Sequence, residues 1–451
     1  MPVTSPSDPP DTPDAPDAPD ALRRVLAEVR PLSERFAHAG HRIYLVGGVV
    51  RDLLAGVAGA TAAGVDIDFT TDASPPEIER LLAGWADAVW TQGARFGTVG
   101  CRWRDRTYEI TTHRAEVYVP DSRKPDVRFS ADVTEDLARR DFTVNAMARK
   151  LPGGELVDPY GGADDLAARR LRTPLDPEVT FSEDPLRMVR AARFVASHGL
   201  APDPAVVTAM GAMSDRMEIV ATERIRGELD RLVVTVRPSA GLDLLRSTGL
   251  LAFVLPEHVA LDDDAWAELM VRVDRTPADL VARLAVLLDA VVDAVRGLRR
   301  LRSSKEQIGA VRAVRMALTD LELRPGAGAG ADAGTGAAAW PAEAATRRFA
   351  AAAAGHTEAG LAAVAGEYGA AAAAAVAAAL QNLAAVGELD DLGPQLDGAE
   401  VMALLGLPAG PQVGEALDFL QELRLSEGRL PRSELEGRLR DWWSSGQPAT
   451  S

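Results

Sequence analysis

Two aspartates one residue apart, Asp66 and Asp68, and a glycine pair followed by an arginine, Gly47-Gly48-Val49-Val50-Arg51, are the groupings best suited to chemistry in this sequence. In Asp66-Ile67-Asp68-Phe69 polar and apolar residues alternate, so on a strand the carboxylates share one face and Ile67 and Phe69 the other. Like charges that close repel unless a cation lies between them. Magnesium, Mg²⁺, suits such a pair because it takes hard oxygen ligands and bridges to substrate phosphates. On its own such a pair is more often a solvated strand edge. Here Ile43-Tyr44-Leu45-Val46 reads as a strand, Gly47-Gly48 breaks it, and Val49 to Leu54 reads as the first turns of a helix. Glycines at that junction let a backbone approach a polyanion, and the helix N-terminus offers unpaired N–H groups. Arg51 could grip a phosphate by two parallel hydrogen bonds. Phosphate turn and paired acids together read as nucleotidyl transfer, with Asp66 and Asp68 holding the metal.

Three further segments concentrate charged and polar residues. Glu135 to Ala148 contains Arg139-Arg140-Asp141 and Asn145; Asp158-Pro159-Tyr160-Gly161-Gly162 is a turn followed by Asp164-Asp165; Glu183 to Phe194 carries Asp184, Arg187, Arg190 and Arg193 at steps of three. That spacing predicts one slowly drifting helix face, which in charge-rich helices is usually just solvated. Nucleobase chemistry gives another reading. Cytosine and adenine each present an amino donor beside a ring-nitrogen acceptor. A carboxylate accepts and a guanidinium donates, so Asp184 with Arg187 would match C and A and mismatch G and U. Arg190 and Arg193 would then serve phosphates or hold the reading pair in place.

Composition bounds the alternatives. The chain has 451 residues, 47% of them hydrophobic, and a formal net charge of −17, which argues against indiscriminate coating of nucleic acid. The single Cys101 forbids an intramolecular disulfide, and the six histidines include no HExxH pattern, so a zinc enzyme is not expected. No signal-peptide pattern or clean membrane span stands out, and a cytoplasmic protein is expected, with no membrane partner.

The organisation predicted along the chain is α+β. Residues 1–20, rich in Pro, Asp and Ala, read as a disordered acidic tail. Residues 21–150 form a mixed-sheet head: a helix over 21–39, a helix started by Ser74-Pro75-Pro76-Glu77, and strands near 88–91, 97–103 and 107–112. Glu109, on a strand that could neighbour Asp68, is a possible third metal-facing acid or a solvated residue. Residues 113–130 read as a polar, irregular loop, either mobile beside the site or a plain connection. Beyond residue 150 helices take over: 186–195, 205–213, 224–236, 240–250 and 277–301. These divide into a neck with the nucleotide-selecting segment (151–235), a body (236–324), a Gly/Ala linker (325–337) and Ala-rich helices with a tail (338–451).

The ordered series LVGGVVRD (45–52) with DID (66–68), RRDFTVNAMA (139–148), DPYGG (158–162) with DDL (164–166), EDPLRMVRAARF (183–194) and ERIRGEL (223–229) resembles the class II CCA-adding enzymes, tRNA nucleotidyltransferases of the family that includes bacterial poly(A) polymerases. The likeness is strong over about residues 40–235 and weaker at 298–311 and 393–443. It implies a seahorse-like head, neck, body and tail. It also implies that C and A are added from CTP and ATP to the tRNA 3′ end without a nucleic-acid template, with the acceptor stem lying along the helical part. By motif position Gly47, Gly48, Arg51 and Arg140 contact the nucleotide, Asp66 and Asp68 the Mg²⁺, and Asp184, Arg187, Arg190 and Arg193 form the base-reading and phosphate set. CC-only, A-only or poly(A) addition and a catalytically silent RNA-binding relative remain alternatives. The stretch between Asp52 and Asp66 is longer than the family pattern. The His-Asp pair of phosphohydrolase-bearing relatives is missing, so no such activity is expected. The segment 113–130 is present, and its loss accompanies stopping after CC in this family, which leans the reading towards A addition.

Overall fold

The structure, a computed structural model, describes residues 18–57, 66–117, 126–289, 294–321 and 341–446. The expected linker at 325–337, most of the acidic tail, the centre of the 113–130 segment and the middle of the long Asp52–Asp66 connection lie outside the described residues. The chain forms two compact units: Met1–Val220 with Ser247–Leu250, and Ala221–Arg246 with Leu251–Ser451.

The first unit is built on a seven-stranded sheet. In chain order its strands are β1 (Ile43–Val46), β2 (Ile67–Thr71), β3 (Ala88–Trp90), β4 (Thr98–Trp103), β5 (Arg106–Thr112), then β8 (Ala148–Leu151) and β9 (Leu156–Val157), with β6 (Arg114–Val117) and β7 (Asp126–Phe129) forming a separate antiparallel pair. The sheet order is β3-β4-β5-β2-β1-β8-β9, and only β2 and β5 run parallel. One face packs Ile43, Leu45, Ile67 and Phe69 against helix α1 (Ala18–His38), α2 (Gly48–Leu54) and α3 (Pro75–Leu82). Val25, Val29, Leu32 and Phe36 of α1 recur at helical spacing and are fully buried there, each contributing about 1.5–3 kcal/mol of apolar burial. The other face packs Tyr44, Val46 and Ala148 against Val133 and Leu137 of α4 (Val133–Ala138). Alternation therefore buries β1 on both sides and pins its register, because a one-residue slip would exchange the two cores.

α3 starts as its sequence predicts: the Ser74 backbone N–H and hydroxyl both donate to Glu77, at 2.8 and 2.6 Å, with proline at the first turn. Three short helices follow the sheet: α5 (Gly162–Ala167), α6 (Pro177–Glu183) and α7 (Leu186–His198). Three expectations need correction. The flanks of the 113–130 segment are paired strands rather than irregular loop: Arg114 pairs with Phe129 and Val117 with Asp126. The single helix expected over 277–301 is two, Leu280–Leu287 and Ala294–Arg300. The first starts only at Asp279, whose side chain caps Ala282 N–H at 2.8 Å. Asp184 stands in extended backbone before α7, not on its face.

The second unit is helical throughout its described residues. Arg283, only 3% exposed, donates to the carbonyls of Val233 at 2.6 Å and Thr276 at 2.9 Å, satisfying acceptors at the ends of two helices. Its last three helices, Gly398–Leu405, Pro411–Glu427 and Arg432–Ser444, enclose a small core around Leu396, Val401, Leu420 and Leu439.

Candidate active site

The site grows from the end of β1. Val46 lies opposite Asp68, and Asp68 opposite Glu109, in adjacent strands, so the two acids share a face with Val46. Asp66 stands immediately before β2 rather than within it. After Val46 the chain turns at Gly47, whose backbone (φ 78°, ψ −145°) is open to glycine almost alone. A Cβ there would stand 3.3 Å from Asp68 Oδ2 and 3.5 Å from Arg140 Nη1. Glycine, aspartate and arginine thus meet at one point, from three separate motifs.

Burial pushes the Asp68 carboxyl up to about 6, the Arg140 guanidinium pulls it back, and the charges of Glu109 and Asp66 add to the rise. A carboxylate crowded by two other acids and only partly offset by one arginine has the donor chemistry of a hard-cation site. Among the described residues no three acidic, histidine or cysteine side chains gather closely enough to hold a metal by themselves; Asp68 and Glu109, opposite each other on neighbouring strands, are nonetheless hard oxygen donors of the kind a divalent cation takes. Arg140 is itself oriented by Asp136, through an Nη2–Oδ2 contact of 3.3 Å, and its buried Nε has no hydrogen-bond partner among the described residues. The other oxygen of Asp136 accepts from the Arg114 backbone N–H at 3.3 Å, so one buried acid touches both Arg140 and the root of the β6–β7 pair.

Arg51 is buried, 9% exposed. Its Nε donates to Asp52 Oδ1 at 2.8 Å and its Nη1 to Asn145 Oδ1 at 2.7 Å, while the guanidinium lies 5.3 Å from the Phe194 ring centroid. Gly48 faces this arginine: a Cβ on Gly48 would lie 3.4 Å from Arg51 Nη2.

The arginines of α7 are each held. Arg187 donates to the Thr180 carbonyl at 3.1 Å, to Glu183 at 2.8 Å and to the Arg139 carbonyl at 2.6 Å. Asp184 accepts from Leu186 N–H at 3.2 Å, at the start of the helix. Arg190 forms a two-pronged pair with Asp141 Oδ2 at 2.9 and 2.5 Å. Burial alone would raise the Asp141 carboxyl, but Arg190 and the Asn145 amide hold it below its usual range. Arg193 lies over Phe194 at 4.8 Å. Asp141 and Asn145 were singled out in the sequence only as parts of a polar segment. Their partners lie 49 and 94 positions away, and nothing local marks those contacts.

Residues 43–172 match the model of the poly(A) polymerase head domain, and residues 199–261 a model described as a probable RNA- and SrmB-binding site of polymerase A. The chain is 39% identical over 222 residues to the CCA-adding enzyme of Bacillus velezensis, covering 49% of this chain and 54% of that one. It is 36% identical over 214 residues to that of Bacillus subtilis, covering 47% and 51%. These alignments span about half the length of the curated relatives. The fold match is longer: the Bacillus stearothermophilus CCA-adding enzyme in complex with CTP aligns over 94% of this chain and 98% of that one, with a TM-score of 0.72 and 25% identity. The Thermotoga maritima CCA-adding enzyme complexed with tRNA-CCA shares the fold, with a TM-score of 0.62 over 95% and 99% at 18% identity. The family characteristically uses a divalent metal, and no helix among the described residues is long and apolar enough to cross a membrane. Residues 43–172 are thus similar in sequence to the poly(A) polymerase head domain, and 94% of the chain shares the fold of a CCA-adding enzyme.

Proposed function

We propose that this protein is a template-independent tRNA nucleotidyltransferase that adds C and A from CTP and ATP to the tRNA 3′ end and releases pyrophosphate. The observation that carries the proposal is the meeting of Gly47, Asp68 and Arg140 at the end of β1, beside Glu109 on β5. Gly47 and Gly48 leave room for phosphates to approach the backbone, and Arg140 and Arg51 supply positive charge. Mg²⁺ held by Asp66 and Asp68 would favour the deprotonated 3′-hydroxyl and offset charge on the leaving oxygens. The protein residues position: the hydroxyl attacks the α-phosphate, the bond to the β-phosphate oxygen breaks, and pyrophosphate leaves. Arg187, fixed on three sides by protein oxygens, would present its remaining donor edge to the base, with Asp184 as acceptor; Arg190 and Arg193 complete the set. The acceptor stem would be recognised mainly by shape and backbone, using the helical neck, body and tail of residues 151–451. The reaction would take place in the cytoplasm.

Incorporation of CTP and ATP, separately and together, on tRNA transcripts lacking all, part or none of the terminal CCA tests the reading. Addition of C, C and A that then stops supports it. Addition of one nucleotide type alone would make the protein half of a split pair, unlimited A-tailing a poly(A) polymerase, and no incorporation with tRNA bound a silent relative. Asp66→Ala and Asp68→Ala should abolish transfer while the fold remains, and near-normal turnover in either would sink the metal assignment. Asp184→Ala with Arg187→Ala should relax nucleotide choice; unchanged C-then-A order would refute their role.

A further inference from the structure

Two arginines from distant parts of the chain converge on one short buried segment. Arg51, on the helix after the glycine pair, donates to Asn145 Oδ1 at 2.7 Å. The Asn145 amide nitrogen donates in turn to Asp141 Oδ1 at 2.9 Å, and Asp141 Oδ2 receives both prongs of Arg190. Asn145 and Asp141 are 7% exposed each. The backbone between them is a single 3-10 turn, Thr143–Asn145, braced by Asn145 N–H to the Phe142 carbonyl at 2.9 Å. A carboxamide suits the middle of this chain as no other common side chain does: one end accepts from a cation while the other donates to an anion. Aspartate would oppose Asp141, and a cation would oppose Arg51.

We infer that Asn145 is a positioning residue that sets Arg51 and Arg190 in one frame, so that the grip on the phosphates and the helix that selects the base are fixed relative to each other. The inference rests on the nucleotidyltransferase reading above and adds to it a residue outside the glycine pair, the acids and the arginines. Arg51 without Asn145 keeps Asp52 and the Phe194 ring, so it stays folded in but loses the partner that aims it. Asp141 without Asn145 keeps Arg190 and the Phe142 N–H. Asn145 thus acts on nucleotides through Arg51 and Arg190 and touches neither substrate itself. The charged and titratable groups around it are Arg51, Asp52, Asp141 and Arg190, with Arg193 and His198 behind Phe194.

The test compares full-length protein with Asn145→Ala and Asn145→Asp, measuring CTP and ATP incorporation on tRNA lacking CCA. CTP affinity by calorimetry is measured in parallel and needs no turnover. Losing a charged hydrogen bond that aims a phosphate ligand should raise KM and the CTP dissociation constant roughly tenfold or more in Asn145→Ala, with a smaller fall in kcat. Asn145→Asp is nearly isosteric and keeps the protein folded if truncation does not. Its carboxyl beside Asp141 shares a proton, and once protonated it reproduces the donor-and-acceptor pattern of the amide. CTP affinity of Asn145→Asp relative to wild type should therefore recover as pH falls from about 8 to about 6, a change that general loosening of the fold would not produce. Unchanged affinity in Asn145→Ala, or a pH-independent ratio for Asn145→Asp, overturns the inference. Wild-type protein that adds no nucleotide would instead defeat the proposed reaction, and the calorimetric ratios would still decide the role of Asn145.

Discussion

Alanine at Gly47 and alanine at Gly48 differ by one position and should fail in opposite ways. Gly47 sits at φ 78° and ψ −145°, a region closed to residues bearing a Cβ, and forcing one there costs about 1–3 kcal/mol. For a folding unit of this size a kilocalorie per mole moves the melting temperature by about 2–4 °C, so Gly47→Ala should melt roughly 4–8 °C lower for about 2 kcal/mol of strain. The same methyl would stand 3.3 Å from Asp68 Oδ2 and 3.5 Å from Arg140 Nη1, pressing on both the carboxylate and the guanidinium. Misplacing a catalytic group by about 1 Å costs about a hundredfold, and a shift of a few tenths of an ångström should still lower kcat several-fold. Gly48 has no such backbone demand, and its methyl would meet the end of the Arg51 side chain, at 3.4 Å, with Asp52 Oδ2 at an ordinary 4.0 Å. It lies at the start of α2, where alanine favours helix more than glycine does, by up to about 1 kcal/mol. Gly48→Ala should therefore melt at or slightly above the wild-type temperature while nucleotide KM rises, because the methyl occupies the approach to Arg51. Differential scanning fluorimetry and steady-state incorporation, run on both variants, separate the two effects. Equal melting temperatures for Gly47→Ala and wild type, or a Gly48→Ala protein as destabilised as Gly47→Ala, would refute the reasoning.

Burial, with Arg51 next, lowers the His198 imidazole to about 4 from its ordinary 6.5. A folded value below the unfolded one means that this group's stabilisation is complete above pH 6.5 and is lost as pH falls through that window, by at most about 3 kcal/mol before solvent screening. His198→Phe keeps the stack on Phe194 and removes the titration, so its melting temperature should fall less than wild type between about pH 7 and about pH 4.5; parallel profiles would contradict the assignment. Asp141→Ala removes the acceptor that Arg190, the Asn145 amide and the Phe142 N–H share and should destabilise by about 1–3 kcal/mol, whereas Asp141→Asn retains an acceptor and should cost less. A denaturant titration that ranks the two variants equally would show that the charge does not matter.

The parts of the molecule legible in the sequence are those governed by neighbours along the chain. β1 was readable from four apolar residues ended by two glycines, α3 from Ser74-Pro75-Pro76-Glu77, and the facing of Asp68 from its alternation with Ile67 and Phe69. The roles of Asp141 and Asn145 were not readable, because each acts through a side chain far away in sequence. The helix expected over 277–301 misled for a related reason. Leu280 to Leu287 continues an apolar pattern that periodicity alone extends, while the true start depends on the capping side chain of Asp279 and the placing of Arg283 against carbonyls of another segment. The paired strands flanking residues 118–125 were hidden by their composition: Arg114-Ala115-Glu116-Val117 and Asp126-Val127-Arg128-Phe129 alternate too weakly, and too briefly, to outweigh the polar run between them. Steps of three place Asp184 on a helix face, yet Pro185 follows it, and the residue before a proline is driven out of helical backbone.

On the proposed reading, that correction strengthens the case for base selection. A side chain in mid-helix shares the motion of its turn and competes with neighbours at three and four positions. Asp184 in extended backbone instead accepts from the N–H of Leu186, the first residue of the helix that carries Arg187, so acceptor and donor are tied through the same first turn. Arg187 is clamped by a carboxylate and two carbonyls from Thr180, Glu183 and Arg139, which leaves its guanidinium plane little freedom to follow a mismatched base. Discrimination between bases without a template depends on the reader refusing to adjust: a flexible arginine would find an acceptor on guanine or uracil as well, whereas a fixed one leaves the wrong base with unpaired groups, at about 1–3 kcal/mol for each polar group buried unsatisfied. The carbonyl of Arg139 belongs to the same segment as Arg140, Asp141 and Asn145. One stretch of ten residues, 139–148, therefore touches Arg187, supplies the arginine beside Asp68 and makes the contact to Arg51, so on the proposed reading base and phosphate contacts would be held in one register.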